Sequence, residues 1–191
     1  MVNPYLEVLI RVLWVLTPVF AANALATLPG GRGPAMDFGR SWYDGRRVLG
    51  DSKTWSGFIA GTVGGTLIAL LEAWLILHAP PNLQLVPAYA SSVAAAVPVA
   101  LLLGGGALTG DAVGSFIKRR LGYGSGARVF GLDQLPFVLL PIGIGLLAYP
   151  SVFVTTFFSL EALLWVLVLT LGLHAVFNWI GFKIGTKKVP W

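Results

Sequence analysis

The chain has 191 residues, 56% of them hydrophobic and only 11% Asp, Glu, Lys or Arg, against roughly 25% charged residues in an ordinary soluble domain. With a mean hydropathy of +0.79, the remaining polar residues are too few to clothe a water-soluble surface, so the chain reads as an integral membrane protein. At about 20 residues per spanning helix, the length accommodates several crossings and excludes a large extramembrane domain. Cysteine is absent, which excludes disulfides, thiolate metal sites and thiol nucleophiles. The formal net charge of +5 is accounted for by basic loops on the cytoplasmic side, and no nucleic-acid partner is expected.

Five apolar runs are predicted to form membrane helices, at about 5–28, 57–78, 86–110, 134–157 and 160–182. Each is long enough to cross roughly 30 Å of hydrocarbon. Ala79-Pro80-Pro81-Asn82 marks a tight turn after the second run, and little more than Ser159 separates the fourth from the fifth. Pro98, Pro136, Pro141 and Pro150 are each able to kink a helix instead of ending it, so the fourth and fifth runs are the hardest to divide. Gly57, Gly61 and Gly65 recur every four residues and are expected to mark close helix packing. The predicted architecture is one all-α transmembrane domain over 1–191, with loops at about 29–56 and 111–133.

The few charges are clustered. Eight of the 21 lie between Arg32 and Lys53 and six more between Asp111 and Asp133, and all five aspartates fall in those two segments. The others are Glu7, Arg11, Glu72, Glu161, Lys183, Lys187 and Lys188. An odd number of crossings puts both loops and the C-terminal tail on one side, and these hold every Lys and Arg except Arg11. By the positive-inside rule that side is cytoplasmic and the N-terminus is outside. Trp42, Trp55, Trp179 and Trp191 then fall near the cytoplasmic interface, and Trp74 and Trp165 near the outer one. Ala22-Asn23-Ala24 has the small-x-small form of a signal cleavage site, but Glu7 accompanies Arg11 before the apolar run, unlike a basic leader. The first run is therefore read as retained.

Both loops thus meet at one membrane face. In the first, Gly39, Gly45 and Gly50 permit tight turns and close approach to a ligand, and Arg46, Arg47 and Lys53 offer donors suited to phosphate oxygens. Orientation signals explain basic residues but not Asp37, Asp44 and Asp51 in the same short loop, and the mixture points to a polyphosphate site. It is not a P-loop: Gly45 and Gly50 have the right spacing, but Asp51-Ser52 intervene before Lys53-Thr54. The second helix begins just after Lys53-Thr54, with Thr54 or Ser56 as its cap, so its N-terminal dipole end is available to an anion.

The second loop carries Asp111 and Asp133 at its two membrane edges, where a carboxylate is costly unless paired or metal-bound. Each alone is explained equally by a salt bridge to Lys118, Arg119 or Arg128, whereas the pair favours a metal. With no cysteine, and with His78 and His174 placed away from this face, the ligands are oxygens and Mg²⁺ is the natural ion. His78 and His174 read as interfacial or hydrogen-bonded interior residues. Glu72 and Asn178 have no evident role.

The run from Asn23 through Gly30-Gly31, Pro34-Ala35-Met36-Asp37-Phe38-Gly39 and Asp44-Gly45-Arg46-Arg47-Val48-Leu49-Gly50-Asp51-Ser52-Lys53-Thr54-Trp55-Ser56-Gly57 resembles the archaeal CDP-archaeol synthase family. So do Gly110-Asp111, Ser115-Phe116-Ile117-Lys118-Arg119 and Leu132-Asp133-Gln134-Leu135-Pro136, and the resemblance spans nearly the whole chain. A weaker similarity reaches the bacterial and eukaryotic CDP-diacylglycerol synthases, whose signature opens as Ser115 to Arg119 do. The Lys-Asp and His-Gly-Gly elements of that signature are missing here, and Asp133-Gln134 stands where it has Asp-Arg followed by another Asp.

The resemblance implies cytidylyl transfer from CTP to the phosphate of a glycerol carrying two ether-linked geranylgeranyl chains, with Mg²⁺ as cofactor and the bilayer as the lipid's source. On that basis Asp111 and Asp133 are expected to ligate Mg²⁺, with Asp37, Asp44 and Asp51 as further ligands or orienters. Lys53, Lys118, Arg46, Arg47 and Arg119 are expected to hold phosphates, with Gly50, Thr54 and Gln134 completing the CTP site and Asn23 near the head group. The rivals are a CDP-alcohol phosphotransferase, a prenyltransferase and a transporter. The first uses Asp-Gly followed two residues later by Ala-Arg, which Asp44-Gly45 lacks. The second wants Asp-x-x-x-Asp, whereas the loop aspartates are seven apart. A transporter would place its charges at the midplane.

Overall fold

A computed structural model describes residues 3–29, 31–81 and 84–185. Gly30, Asn82, Lys187, Lys188 and Trp191, together with the side chain of Asn178, lie outside the described residues. Among the described residues six helices follow one another: α1 Pro4–Leu25, α2 Trp55–His78, α3 Val93–Arg120, α4 Pro136–Ala148, α5 Pro150–Phe157 and α6 Leu160–Lys183. Among the described residues β-structure is limited to two isolated bridges within the first loop.

The helices start where short polar side chains satisfy free amides. Asn3, Thr54, Ser92 and Ser159 accept from Tyr5, Gly57, Ala95 and Ala162 respectively, as helix N-caps do. Thr54 is thus the expected cap of α2. The glycine spacing on α2 is explained by contact with α1. A Cβ on Gly57, Gly61 or Gly65 would lie 2.9 Å from Ala26 O, 2.5 Å from Ala22 O or 2.8 Å from Pro18 O. Rising numbers on α2 meet falling numbers on α1, so the two helices are antiparallel. Gly104 of α3 meets Thr62 and Thr66 in the same way, and Gly106 and Gly110 of α3 meet Pro141 and Pro136 of α4. The first four helices therefore alternate in direction, and the ends of α1 and α3 join the starts of α2 and α4 at one end of the bundle. The core between them is apolar, with Val12, Val15, Leu16, Val19, Val99, Leu103 and Phe137 almost wholly buried.

Among the described residues four helices, α1, α2, α3 and α6, are long and apolar enough to cross a membrane. Two differences from the sequence expectation matter. The predicted third span, 86–110, is a helix over 93–120, so Asp111, Ser115, Lys118, Arg119 and Arg120 lie on its last three turns and not in a loop. Charges read as a helix end are here paired or buried within the fold, and they do not terminate it. The predicted fourth span, 134–157, breaks at Tyr149-Pro150 into α4 and α5. Pro150 lacks the amide that would continue the ladder, and α4, at 13 residues, is only about 20 Å long. Gly145 lets Phe153 fold back against α4. The boundary between α5 and α6 falls at Ser159, as expected.

Glu72 is buried on α2 and accepts a 2.6 Å hydrogen bond from the Tyr89 hydroxyl. This ties the segment before α3 to the helix pair. His78 Nδ1 lies 2.7 Å from Trp74 O, and His174 packs on the Phe137 ring.

Candidate active site

The first loop is a closed structure built around Asp37. Met36 N donates to Lys53 O at 2.7 Å and Trp55 N to Pro34 O at 3.1 Å, which seals the loop's base. Within it, the Asp37 carboxylate accepts from Gly39 N (3.1 Å), Leu49 N (2.9 Å), Gly50 N (2.9 Å), Arg47 Nη2 (2.7 Å) and Arg47 Nε (3.2 Å). Burial alone would raise this carboxyl, but the Arg47 fork and the amides of Gly50, Leu49 and Gly39 outweigh it and hold it well below the usual carboxylate range. Arg47 is held above its ordinary range by Asp37 and then by Asp51, whose carboxylate lies 2.8 Å away. Every lone pair of Asp37 is thereby engaged, so it organises the loop and is not free to ligate a metal. Arg47 is likewise committed to Asp37 and Asp51.

The two loops are locked together. Arg120 donates to Asp44 at 2.7 Å, to Arg47 O at 2.5 Å and to Arg46 O at 3.3 Å, while Arg46 returns a 2.7 Å bond to Arg120 O. Gly50, at φ +98°, sits so close to the second loop that a Cβ there would lie 2.8 Å from Ser125 Oγ. Only glycine fits, on both conformational and steric grounds.

Against this frame stand two acid–lysine pairs on α3. Lys53 bonds to Asp111, and Lys118 bonds to Asp133. Seven residues separate Asp111 from Lys118, a spacing that drifts only about 20° around a helix, so both pairs share one face of α3. Gly110 and Gly114 allow this: a Cβ on Gly114 would lie 2.7 Å from Leu132 O, the residue before Asp133. The side chains of Lys53, Asp111 and Asp133 retain about a fifth of their surface (22%, 22% and 21%), and Lys118 retains 11%. Asp133 also accepts from Val129 N at 2.7 Å, and Arg119 is buried beside Lys118.

Comparison with known proteins bears on this arrangement. The family model described as CarS-like, CDP-archaeol synthase, matches residues 5–191. The chain belongs to the CDP-archaeol synthase family. Relatives named CDP-archaeol synthase include one from Thermococcus gammatolerans, 43% identical over 94% of each chain. A Pyrococcus horikoshii relative is 39% identical over 96% of this chain and 97% of its own, and one from Archaeoglobus fulgidus is 38% identical over 97% and 99%. A solved structure described as an intramembrane enzyme for archaeal membrane lipids biosynthesis superposes with a TM-score of 0.61 at 35% identity, covering 87% of this chain and 94% of that one.

In this CDP-archaeol synthase family member the expected site residues divide into two groups. Lys53, Asp111, Lys118 and Asp133 lie on one face of α3, with Arg119 buried next to Lys118 about 100° around the helix. Asp37, Asp44, Arg46 and Arg47 hold the loops together. Asp51 is paired at the surface, 78% exposed. Thr54 is buried as the α2 cap, Gln134 accepts from Gly131 N at 2.7 Å, and Asn23 is half-buried on the last turn of α1 with no hydrogen bond to the others. With Thr54 capping Gly57 and Pro34 O accepting from Trp55, the start of α2 spends amides on its own chain, which weakens the expected anion site there. Sequence reading missed Arg120 and Ser125. Three consecutive cations, Lys118 to Arg120, were the available signal, since on a helix they diverge to different partners.

Among the described residues no three His, Cys, Asp or Glu side chains gather as a metal cage. Asp111 and Asp133, each paired with a lysine on the same face of α3, are partly accessible carboxylates. That fits Mg²⁺, which binds through one or two carboxylates and completes its shell with phosphates and water.

Proposed function

We propose that this protein is a membrane cytidylyltransferase that converts CTP and 2,3-di-O-geranylgeranylglyceryl phosphate to CDP-archaeol and pyrophosphate. The observation that carries the reading is the convergence of Lys53–Asp111 and Lys118–Asp133 on one face of α3, in a chain related to CDP-archaeol synthases over nearly its whole length. An oxygen of the lipid phosphate attacks the α-phosphorus, and the bond from that phosphorus to the bridging oxygen breaks, its electron pair leaving on pyrophosphate. A phosphate monoester, with a second pKa of about 6, is already largely ionised at neutral pH. The nucleophile therefore needs no histidine base, and none lies in the site.

The chain's own contribution is alignment and charge neutralisation. Lys53 and Lys118 exchange their carboxylate partners for phosphate oxygens, and Asp111 and Asp133, so released, are the residues that would hold Mg²⁺. That ion would neutralise phosphate charge and polarise the α-phosphoryl group. The Asp37–Arg47 hub and the Arg120 clamp keep the two loops in register around these groups. Supporting the orientation, every described Lys and Arg except Arg11 lies in the two loops, on the last turn of α3 or at the end of α6. Under the positive-inside rule the site faces the cytoplasm and the N-terminus lies outside. The broken α4–α5 pair then serves as the fifth crossing, and the lipid chains lie against the apolar outer faces of the spans.

Purified protein supplied with CTP, Mg²⁺ and the prenylated glycerol phosphate should release pyrophosphate, and Asp111→Asn or Asp133→Asn should abolish that release without unfolding the protein. Full activity in either variant would contradict the assignment.

A further inference from the structure

Among the described residues two cationic residues, Lys118 and Arg119, are buried overall. Lys118 is neutralised by Asp133. Arg119, 5% exposed, leaves Nε and Nη1 without any hydrogen-bond partner. The backbone around it offers no relief. The carbonyls of Ile117, Lys118 and Arg119 accept from Leu121, Tyr123 and Gly122, and Arg120 O accepts from Arg46. A buried guanidinium with idle N–H groups is costly unless an acceptor joins it, and its fork matches two phosphate oxygens. Where the guanidinium meets the first loop, the buried Gly50 backbone packs beside it: a Cβ there would sit 3.6 Å from Arg119 Nη1 and 2.8 Å from Ser125 Oγ, so both loops flank the unpartnered nitrogens.

Position along α3 identifies which phosphate this is. Arg119 follows Asp111 by eight residues, about 12 Å further towards the loops and away from the apolar body of the helix. The lipid's phosphate is tethered to chains lying along the spans, so it meets the site at the Asp111 end. The soluble half of the triphosphate extends to the other end. We propose that Arg119 is the subsite for the departing β,γ-pyrophosphate, and therefore the point at which free inorganic pyrophosphate binds. This rests on the cytidylyl-transfer reading. As the bond from the α-phosphorus to the bridging oxygen breaks, the electron pair arrives on the oxygen that the Arg119 N–H groups face. Unlike the two lysines, this cation need not leave a carboxylate to act.

The test compares two ligands that share only part of CTP. Pyrophosphate and CMP are titrated separately, in Mg²⁺ buffer without lipid, into wild type, Arg119→Gln and Arg119→Lys in detergent. Arg119→Gln should weaken pyrophosphate at least tenfold and CMP less than threefold. Arg119→Lys, which keeps the charge but loses the fork, should fall between and covers the case in which the glutamine variant does not fold. Unchanged pyrophosphate affinity in a folded variant, or equal losses for both ligands, overturns the assignment. Lipid-dependent turnover by the wild type tests the underlying reading separately, so the two failures are distinguishable.

Discussion

Gly114 lies between Asp111 and Lys118 on α3, and its lack of a side chain sets how closely Leu132, and hence Asp133, approaches that helix. In Gly114→Ala the new Cβ would be 2.7 Å from Leu132 O, 3.0 Å from Pro136 Cγ and 3.3 Å from Pro136 Cβ. Ordinary contact begins at 3.4 Å, so the segment carrying Asp133 must retreat by about 0.7 Å, the difference between 3.4 and 2.7. Overpacking of this kind costs about 1–3 kcal/mol, offset by roughly 0.5–1 kcal/mol gained on replacing a helical glycine with alanine. The net loss of stability is therefore up to about 2.5 kcal/mol. Catalysis is affected more. If a 1 Å misplacement costs about 100-fold, 0.7 Å costs roughly 25-fold. The comparison is Gly105→Ala on the same helix, whose Cβ would meet only the Thr62 side chain, at 3.5 Å or more, and should leave activity near that of wild type. CTP-dependent pyrophosphate release and thermal unfolding in detergent measure both effects. A Gly114→Ala enzyme with wild-type turnover would refute the claim that α3–α4 contact sets the catalytic geometry.

Other expectations follow from the charge partners. Lys118→Met leaves Asp133 without its lysine and should cost about 3–5 kcal/mol, whereas Lys118→Met with Asp133→Leu should cost less than the sum of the two singles; additive losses in denaturant unfolding would mean the pair is not coupled. The Asp37 carboxyl is depressed in the folded state, so its contribution is present above its unfolded pKa and lost as pH falls towards the folded value. The unfolding temperature should drop on acidification below about pH 4, and Asp37→Asn should be less stable at pH 7 with a shallower acid slope. An unchanged slope would show that Asp37 is not the titrating hub. Thr54→Ala removes the α2 cap and should cost about 1 kcal/mol, while Thr54→Ser, which keeps the oxygen, should cost less in the same unfolding measurement.

Much of the scaffold was legible in the sequence, because membrane helices announce themselves by composition and their close contacts by small residues. Gly57, Gly61 and Gly65 do pack α2 on α1, and Thr54 and Ser159 do begin helices. The reading failed where tertiary pairing overrides local chemistry. Asp111 to Arg120 looked like a loop because isolated charges end membrane helices. The structure neutralises Asp111 with Lys53, 58 positions away, a partner that no spacing rule reveals, whereas the Lys118–Asp133 pair was among the salt bridges the sequence offered. For Asp37 the sequence left ligand and orienter both open, and the saturation of its carboxylate by Arg47 and three amides favours the orienter. Glu72 was unexplained in the sequence because its partner, Tyr89, lies in an irregular segment beyond the end of α2. The break at Tyr149-Pro150 was foreshadowed by the proline, but proline alone does not distinguish a kink from two helices.

The central claim, that the α3 face joins a cytidylyl group to a prenylated lipid phosphate, is tested most directly by product analysis. Enzyme in lipid nanodiscs is given CTP labelled at the α-phosphate, Mg²⁺ and 2,3-di-O-geranylgeranylglyceryl phosphate. The account predicts that the label appears in a CDP-lipid in equal amount to the pyrophosphate released, and that both vanish when the lipid phosphate is omitted. Pyrophosphate released without the lipid, or label recovered only as CMP, would contradict it.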